Sequence, residues 1–85
     1  MNMVMEIDFK EAHKHSTNNK EEINQSNTCG CFYCKEIFAP SEIKNWVGET
    51  AQCPYCLVDA VIGDKSGYSI NNKFLEMMKK HWFNK

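Results

Sequence analysis

Apolar residues recur at the helical period most clearly near the C-terminal end of the chain. Ile70, Phe74, Met78 and Trp82 stand four apart, with Leu75 and Met77 widening the same stripe, which is the pattern of an amphipathic helix. Ser69 or Asn71 supplies an N-cap, and Lys79, Lys80 and His81 stand where the helix dipole favours cations. The first 28 residues carry sparser signals. Asp8-Phe9-Lys10-Glu11 has the form of a capping box, and Asn18-Asn19 followed by Glu21 and Glu22 reads as a second start. Apolar positions after the first four residues are few, namely Met5, Ile7, Phe9, Ala12 and Ile23, with a polar break over residues 13–19. A segment so patterned buries little, so it is expected to form a helical arm or hairpin held through Phe9, Ala12 and Ile23.

Between these ends the period shortens. Residues 50–52 and residues 58–63 read as short strands, Ile37 and Phe38 follow the first cysteine pair as apolar residues, and residues 63–67 have the composition of a loop. Pro40 opens what reads as a helical turn through Val47, with Ile43, Trp46 and Val47 on one face and Gly48 at its end. The expected fold is one small α+β domain: an N-terminal helical arm (1–28), a β-hairpin-rich middle (29–68) and a C-terminal amphipathic helix packed on it (69–85).

Length sets a constraint on that domain. A chain of 85 residues buries roughly 60–65% of the surface its unfolded form exposes, which leaves stability marginal without a staple. Apolar residues at 42% and charged residues at 25% exclude a disordered tail, a collagen-like fibre and a coiled coil. No apolar run approaches the roughly 18 residues of a membrane span. Glu6 and Asp8 interrupt the region where a signal peptide needs an apolar core. A cytoplasmic protein without a membrane partner is therefore expected, and in a reducing compartment its five cysteines should be metal ligands or free thiols.

Four of the five have metal-ligand spacing. Cys31-Phe32-Tyr33-Cys34 and Cys53-Pro54-Tyr55-Cys56 are C-x-x-C pairs separated by eighteen residues, inside the window for a structural zinc site. Two residues between ligands let one tight turn aim both sulfurs at an ion, and two such turns close a tetrahedron. Cys31, Cys34, Cys53 and Cys56 are the expected ligands of one structural Zn²⁺. Lys35 and Leu57 occupy the position after each pair, where a positive φ usually selects glycine, at a cost on the order of 1 kcal/mol each. Such a cost is small beside a zinc-binding free energy of roughly 10–16 kcal/mol. Cys29 is the surplus: a candidate accessory thiol beside the site, with exchange for Cys31 as ligand as the alternative.

Charge bears on partners. The net charge is −1, and the chain has no arginine. Residues 1–28 and 29–68 each carry three lysines against five acids, whereas residues 69–85 carry four lysines against one acid. Four thiolates around Zn²⁺ add a further −2 to the middle. That is a poor surface for a phosphate backbone, and it lacks the residue that makes the commonest bidentate base contact.

Catalytic readings meet obstacles. Cys53-Pro54-Tyr55-Cys56 is also the tetrapeptide of glutaredoxin-type oxidoreductases, but that fold needs a helix opening at the second cysteine and a later proline, and Pro40 lies upstream. Four thiolates leave no open position for hydrolysis. HNH-type nucleases place histidines between their cysteine pairs, and residues 35–52 contain none. His13 and His15 are two apart, so on a helix they face different directions; both read as a solvated helix end, and His81 as a helix C-terminal residue.

The knuckles together with Ile37-Phe38, residues 40–43, Trp46, Thr50-Ala51 and residues 61–63 resemble a zinc ribbon. More narrowly, the chain resembles a family of small, uncharacterised bacterial cytoplasmic proteins with an N-terminal helical stretch, a Cys-Gly-Cys-x-x-Cys knuckle and a C-terminal helix ending in Trp-Phe. The resemblance implies a fold and no activity, since zinc ribbons serve many contact roles. The resulting expectation is a non-enzymatic zinc-binding module that mediates protein–protein interaction or self-association. Phe32, Tyr33 and Tyr55 at the knuckle tips, with Trp82 and Phe83, are its candidate contact surface. Binding of single-stranded nucleic acid through those aromatics, with Lys35, Lys44 and the C-terminal lysines near phosphates, is the alternative. A thiol oxidoreductase acting through Cys53 is the minor one.

Overall fold

A computed structural model describes residues 8–83. Met5 and Ile7 lie outside them. Two short helices, α1 (Phe9–Lys14) and α2 (Lys20–Asn24), precede the strands β1 (Cys29–Cys31), β2 (Ile37–Phe38), β3 (Trp46–Val47), β4 (Thr50–Ala51) and β5 (Val61–Gly63), and helix α3 (Asn72–Trp82) follows. The strands form a three-stranded antiparallel sheet in the order β2-β1-β5 and a separate β3-β4 hairpin. Among the described residues no helix is long and apolar enough to cross a membrane.

β1 is the centre of this small α+β structure. It pairs Cys29 with Phe38 and Gly63, and Gly30 with Ile37 and Ile62, so both of its edges are bonded. Its residues are all buried. At Gly30 the approach of α3 is so close that a Cβ would lie 2.8 Å from Leu75 Cδ1 and 2.9 Å from Ile70 Cγ2. A glycine is needed because the helix presses on the strand backbone itself. Phe74, Leu75 and Met78 form the buried face of α3, as the periodicity of that segment predicts, and Asn71 Oδ1 caps it by accepting from Phe74 N–H at 2.8 Å.

The N-terminal helices are capped locally and attached through both polar groups and a few apolar ones. Asp8 Oδ1 accepts from the N–H groups of Lys10 and Glu11, both at 3.1 Å. The Glu11 carboxylate faces Lys14 at 3.4 Å and His15 at 3.9 Å. Asn19, read from sequence as a helix start, makes no side-chain cap. Its buried amide instead donates to the carbonyls of His15 and Val61, each at 2.9 Å, and accepts from Ala51 N–H at 3.1 Å. One side chain thus joins the α1-α2 link to both sheets. Ala12 and Ile23 are buried beside it, with Phe9 packed partly against the core.

Residues 40–47 differ from the sequence expectation. Only Pro40–Glu42 form a helical turn, of the 3-10 type, while Trp46 and Val47 are a strand paired with Ala51 and Thr50. The two-residue connection Gly48-Glu49 has Gly48 at φ +62°, and a glycine at the first position of a two-residue loop matches the twist of a hairpin. Valine, threonine and tryptophan favour the pleated surface. Lys20 Nζ lies 5.5 Å over the Trp46 ring. The expected strand over residues 58–63 is shortened to Val61–Gly63 because the Val58 carbonyl is used in a turn, accepting from Cys53 N–H at 3.0 Å.

Replacing Asn19 by Ala leaves two buried carbonyls and one buried N–H without their partner, so Asn19→Ala is expected to lose about 3 kcal/mol of stability. Exposed Thr17→Ala should stay within about 0.5 kcal/mol of the wild type. Paired thermal or urea melts check this, and equal losses in the two variants would contradict the assigned role of Asn19.

Candidate metal centre

Two turns of near-identical backbone build the site. In the first, which joins β1 to β2, Lys35 N–H donates to the Cys31 carbonyl at 2.7 Å and Cys31 N–H to the Glu36 carbonyl at 3.0 Å. In the second, between β4 and β5, Leu57 N–H donates to the Cys53 carbonyl and Cys53 N–H to the Val58 carbonyl, both at 3.0 Å. Lys35 and Leu57 have φ of +69° and +68°, the left-handed conformation expected at that position. The backbone of each turn also reaches the first sulfur: Tyr33 N–H donates to Cys31 Sγ at 3.4 Å, and Tyr55 N–H to Cys53 Sγ at 3.3 Å.

The turns face one another. The Sγ atoms of Cys31, Cys34, Cys53 and Cys56 all lie within 4.8 Å of one another. Cys34 Sγ is 3.6 Å from Cys53 Sγ, and Cys31 Sγ is 3.7 Å from Cys56 Sγ. A tetrahedron with metal–sulfur bonds near 2.3 Å has edges of about 3.8 Å, so the four sulfurs fit a single ion with little rearrangement. Cys31 and Cys53 are buried, whereas Cys34 and Cys56 are half-buried.

With protons in place of an ion the thiols are unevenly held. Burial pushes Cys31 well above the ordinary cysteine value, although N–H groups of Cys34 and Tyr33 pull the other way. Burial, with the sulfurs of Cys53 and Cys56 adding to it, pushes Cys34 up to about 11. At Cys53 burial also acts upward, yet the N–H groups of Cys56 and Tyr55 and the thiols of Cys34 and Cys56 together outweigh it and hold this sulfur low. The site thus releases one proton readily and retains others until a cation offsets the charge.

Cys29 is elsewhere. It is buried in β1, outside the four-sulfur group, and burial together with the Asp64 carboxylate pushes its thiol up to about 12. It acts as a small apolar residue of the core.

The five aromatic residues expected on the contact surface are distributed unequally. Tyr33 is 41% exposed, Tyr55 57% and Phe83 38%, whereas Phe32 is 1% exposed. Phe32 is therefore corrected from tip to core residue. Its N–H donates to the Ala60 carbonyl at 2.9 Å, which folds the turn back, and the rings of His13 and Phe83 cover it at 6.0 Å each. Trp82 is half-buried against His13 at 4.4 Å, with its Nε1 enclosed and without a hydrogen-bond partner among the described residues. His13 and His15, read as a solvated helix end, are engaged through Trp82 and Glu22, and His81 stands in the last turn of α3 as expected. His81 stacks on Phe9 at 4.6 Å, and His15 Nδ1 lies 2.9 Å from Glu22 Oε1.

One contributor was not picked out from sequence. Glu42 Oε2 accepts from Ala39 N–H at 3.0 Å, while its Oε1 accepts from Tyr55 O–H at 2.7 Å, which ties the second knuckle to the connection between the two pairs. An acid two residues after Pro40 was the only available signal.

A scan of protein-family models gives no match to the chain, and no curated protein and no solved structure matches it significantly.

Two outcomes are expected. Cys31→Ser should lose the bound ion, whereas Cys29→Ser should keep one ion per chain by elemental analysis while losing about 1–3 kcal/mol in a melt, because a hydroxyl replaces a buried thiol. Ion binding must also displace protons from the raised thiols of Cys31 and Cys34, so affinity falls as pH falls. At least two protons released per ion gives about a 100-fold change per pH unit. Competition with a chromophoric chelator at several pH values below about 11 measures this, and a flat profile would contradict it.

Proposed function

We propose that this chain is a non-enzymatic zinc-binding module of the zinc-ribbon type, whose metal-held knuckles present a surface to a protein partner or a second copy. The carrying observation is the closure of two matching turns on four sulfurs within 4.8 Å of one another. Four thiolates in tetrahedral arrangement suit zinc or iron, and the reading takes zinc because d¹⁰ zinc imposes no geometry of its own and fills closed structural sites. Holding both turns supplies the stability that a core of this size lacks.

Non-enzymatic character is supported by the placement of Cys53. Its sulfur is buried within the group, and the residues after it form a turn and not a helix, unlike the exposed nucleophile of a thiol oxidoreductase. The interaction role is supported by Tyr33 and Tyr55, which flank the centre on opposite turns, and by exposed Leu57 beside Tyr55. Exposed aromatic groups with fixed orientation are the usual anchors of interfaces.

Single-stranded nucleic acid is the second reading. Lys79 Nζ stands 5.1 Å over the Tyr33 ring, and Phe83 meets that ring edge-on at 5.0 Å, a combination that can accept a base and a phosphate. It ranks second because the cation already covers one face of Tyr33 and the middle of the chain carries five acids against three lysines.

Chelation tests the first reading directly. Colourless protein with one zinc per chain is expected, and its removal should abolish cooperative unfolding followed by circular dichroism; an apoprotein that melts as before would refute the structural role. Mixed-sequence oligonucleotides should show no binding at about 50 mM salt, and salt-sensitive binding there would put the second reading first.

A further inference from the structure

Each knuckle contributes one buried and one half-buried cysteine. Cys31 and Cys53 are buried, and Cys34 and Cys56 are half-buried. Two close separations cross between the knuckles: half-buried Cys34 to buried Cys53 at 3.6 Å, and half-buried Cys56 to buried Cys31 at 3.7 Å. These two pairs use every sulfur once, so both can close at the same time. They also leave in place the turn-closing bonds from Lys35 and Leu57 N–H to the Cys31 and Cys53 carbonyls, while the Tyr33 and Tyr55 N–H contacts to Sγ adjust as the sulfurs approach.

Resting on the reading of this group as a metal centre, we propose that it is a site of oxidative modification by hydroperoxides, which converts it to two cross-knuckle disulfides, Cys34–Cys53 and Cys31–Cys56. The half-buried thiolate of Cys34 or Cys56 attacks one peroxide oxygen. The O–O bond breaks, hydroxide leaves, and a sulfenic acid forms on that sulfur. The thiolate of the buried cysteine facing it then attacks the sulfenic sulfur, the S–S bond forms, and a second hydroxide leaves. Each pair of thiolates gives two electrons to one hydrogen peroxide, so two peroxides consume the four thiolates and yield four hydroxides. With its four ligands oxidised, the site no longer holds a cation. The junction between the knuckles survives in covalent form, so the oxidised chain keeps its fold without the ion.

The sequence supplies a direct readout. Trypsin cuts after Lys20, Lys35, Lys44 and Lys65, which places Cys29, Cys31 and Cys34 on peptide 21–35 and Cys53 and Cys56 on peptide 45–65. Full-length zinc-loaded protein is treated with hydrogen peroxide, its remaining thiols are alkylated, and it is digested without reductant. Peptides 21–35 and 45–65 should appear joined and four hydrogens lighter than their sum, with only Cys29 alkylated, as one zinc per chain is released to a chromophoric chelator. Fragmentation should place the bonds at Cys34–Cys53 and Cys31–Cys56, and Cys29→Ser should give the same linkage. The oxidised, zinc-free protein should retain the circular dichroism of the loaded form. Unlinked peptides each two hydrogens lighter, sulfinic acid at Cys34 or Cys56, or intermolecular dimers would overturn the proposal. Metal content before oxidation tests the underlying reading separately: protein purified without metal that still forms the linked peptide would sink the metal centre and leave the pairing standing.

Discussion

Four sulfurs held within 4.8 Å of one another pose a charge problem that governs the rest of the structure. As four thiolates they repel, and as thiols Cys31 and Cys34 give up their protons reluctantly. A single cation removes the conflict, and geometry favours it because the cross-knuckle separations of 3.6 and 3.7 Å are close to a tetrahedral edge. The two turns come from distant parts of the chain. Whatever occupies the space between them fixes the β1-β2 connection against the segment that leads from β4 to β5, a link that the apolar core alone makes thinly.

Polar joints complement that centre. Asn19 binds three backbone groups, and Ser26 accepts from Lys65 N–H at 3.0 Å while donating to the Glu22 carbonyl at 2.9 Å. Asp64 accepts from Asn27 N–H at 3.0 Å. These joints fix the N-terminal helices against the sheet, with His13 of α1 reaching Phe32 in the first knuckle. A short helix with one buried apolar residue, as in α2 with Ile23, cannot be held by area alone. Directional bonds supply its position.

What was legible in the sequence follows from the range over which each determinant acts. The α3 stripe and the C-x-x-C pairs are local patterns, and the structure places Phe74, Leu75, Met78 and the four cysteines accordingly. Even the left-handed φ at Lys35 and Leu57 could be anticipated, because ligand geometry dictates it. Asn19 does stand at the start of α2, but the use of its side chain was not legible because its partners Val61 and Ala51 lie more than thirty residues away, and nothing nearby in sequence distinguishes a cap from a joint. Trp46 and Val47 were given the wrong period because Gly48 ends a helix and turns a hairpin equally well. Phe32 was placed outside by analogy with Tyr33, yet neighbouring residues in a tight turn point opposite ways, and one had to enter the core.

The bonding of β1 on both edges, with Gly30 pressed against α3, has a consequence for how the centre opens in time. A strand with neither edge nor face free exchanges its amides only through large-scale unfolding, so the first knuckle, rooted in β1, stays shut for as long as the molecule is folded. The second knuckle follows the two-stranded β3-β4 hairpin, whose outer residue Val47 is exposed while Thr50 and Ala51 are buried and Ala51 is held by Asn19. An ion taken up between the turns would thus meet in Cys31 and Cys34 the pair rooted in the more enclosed strand.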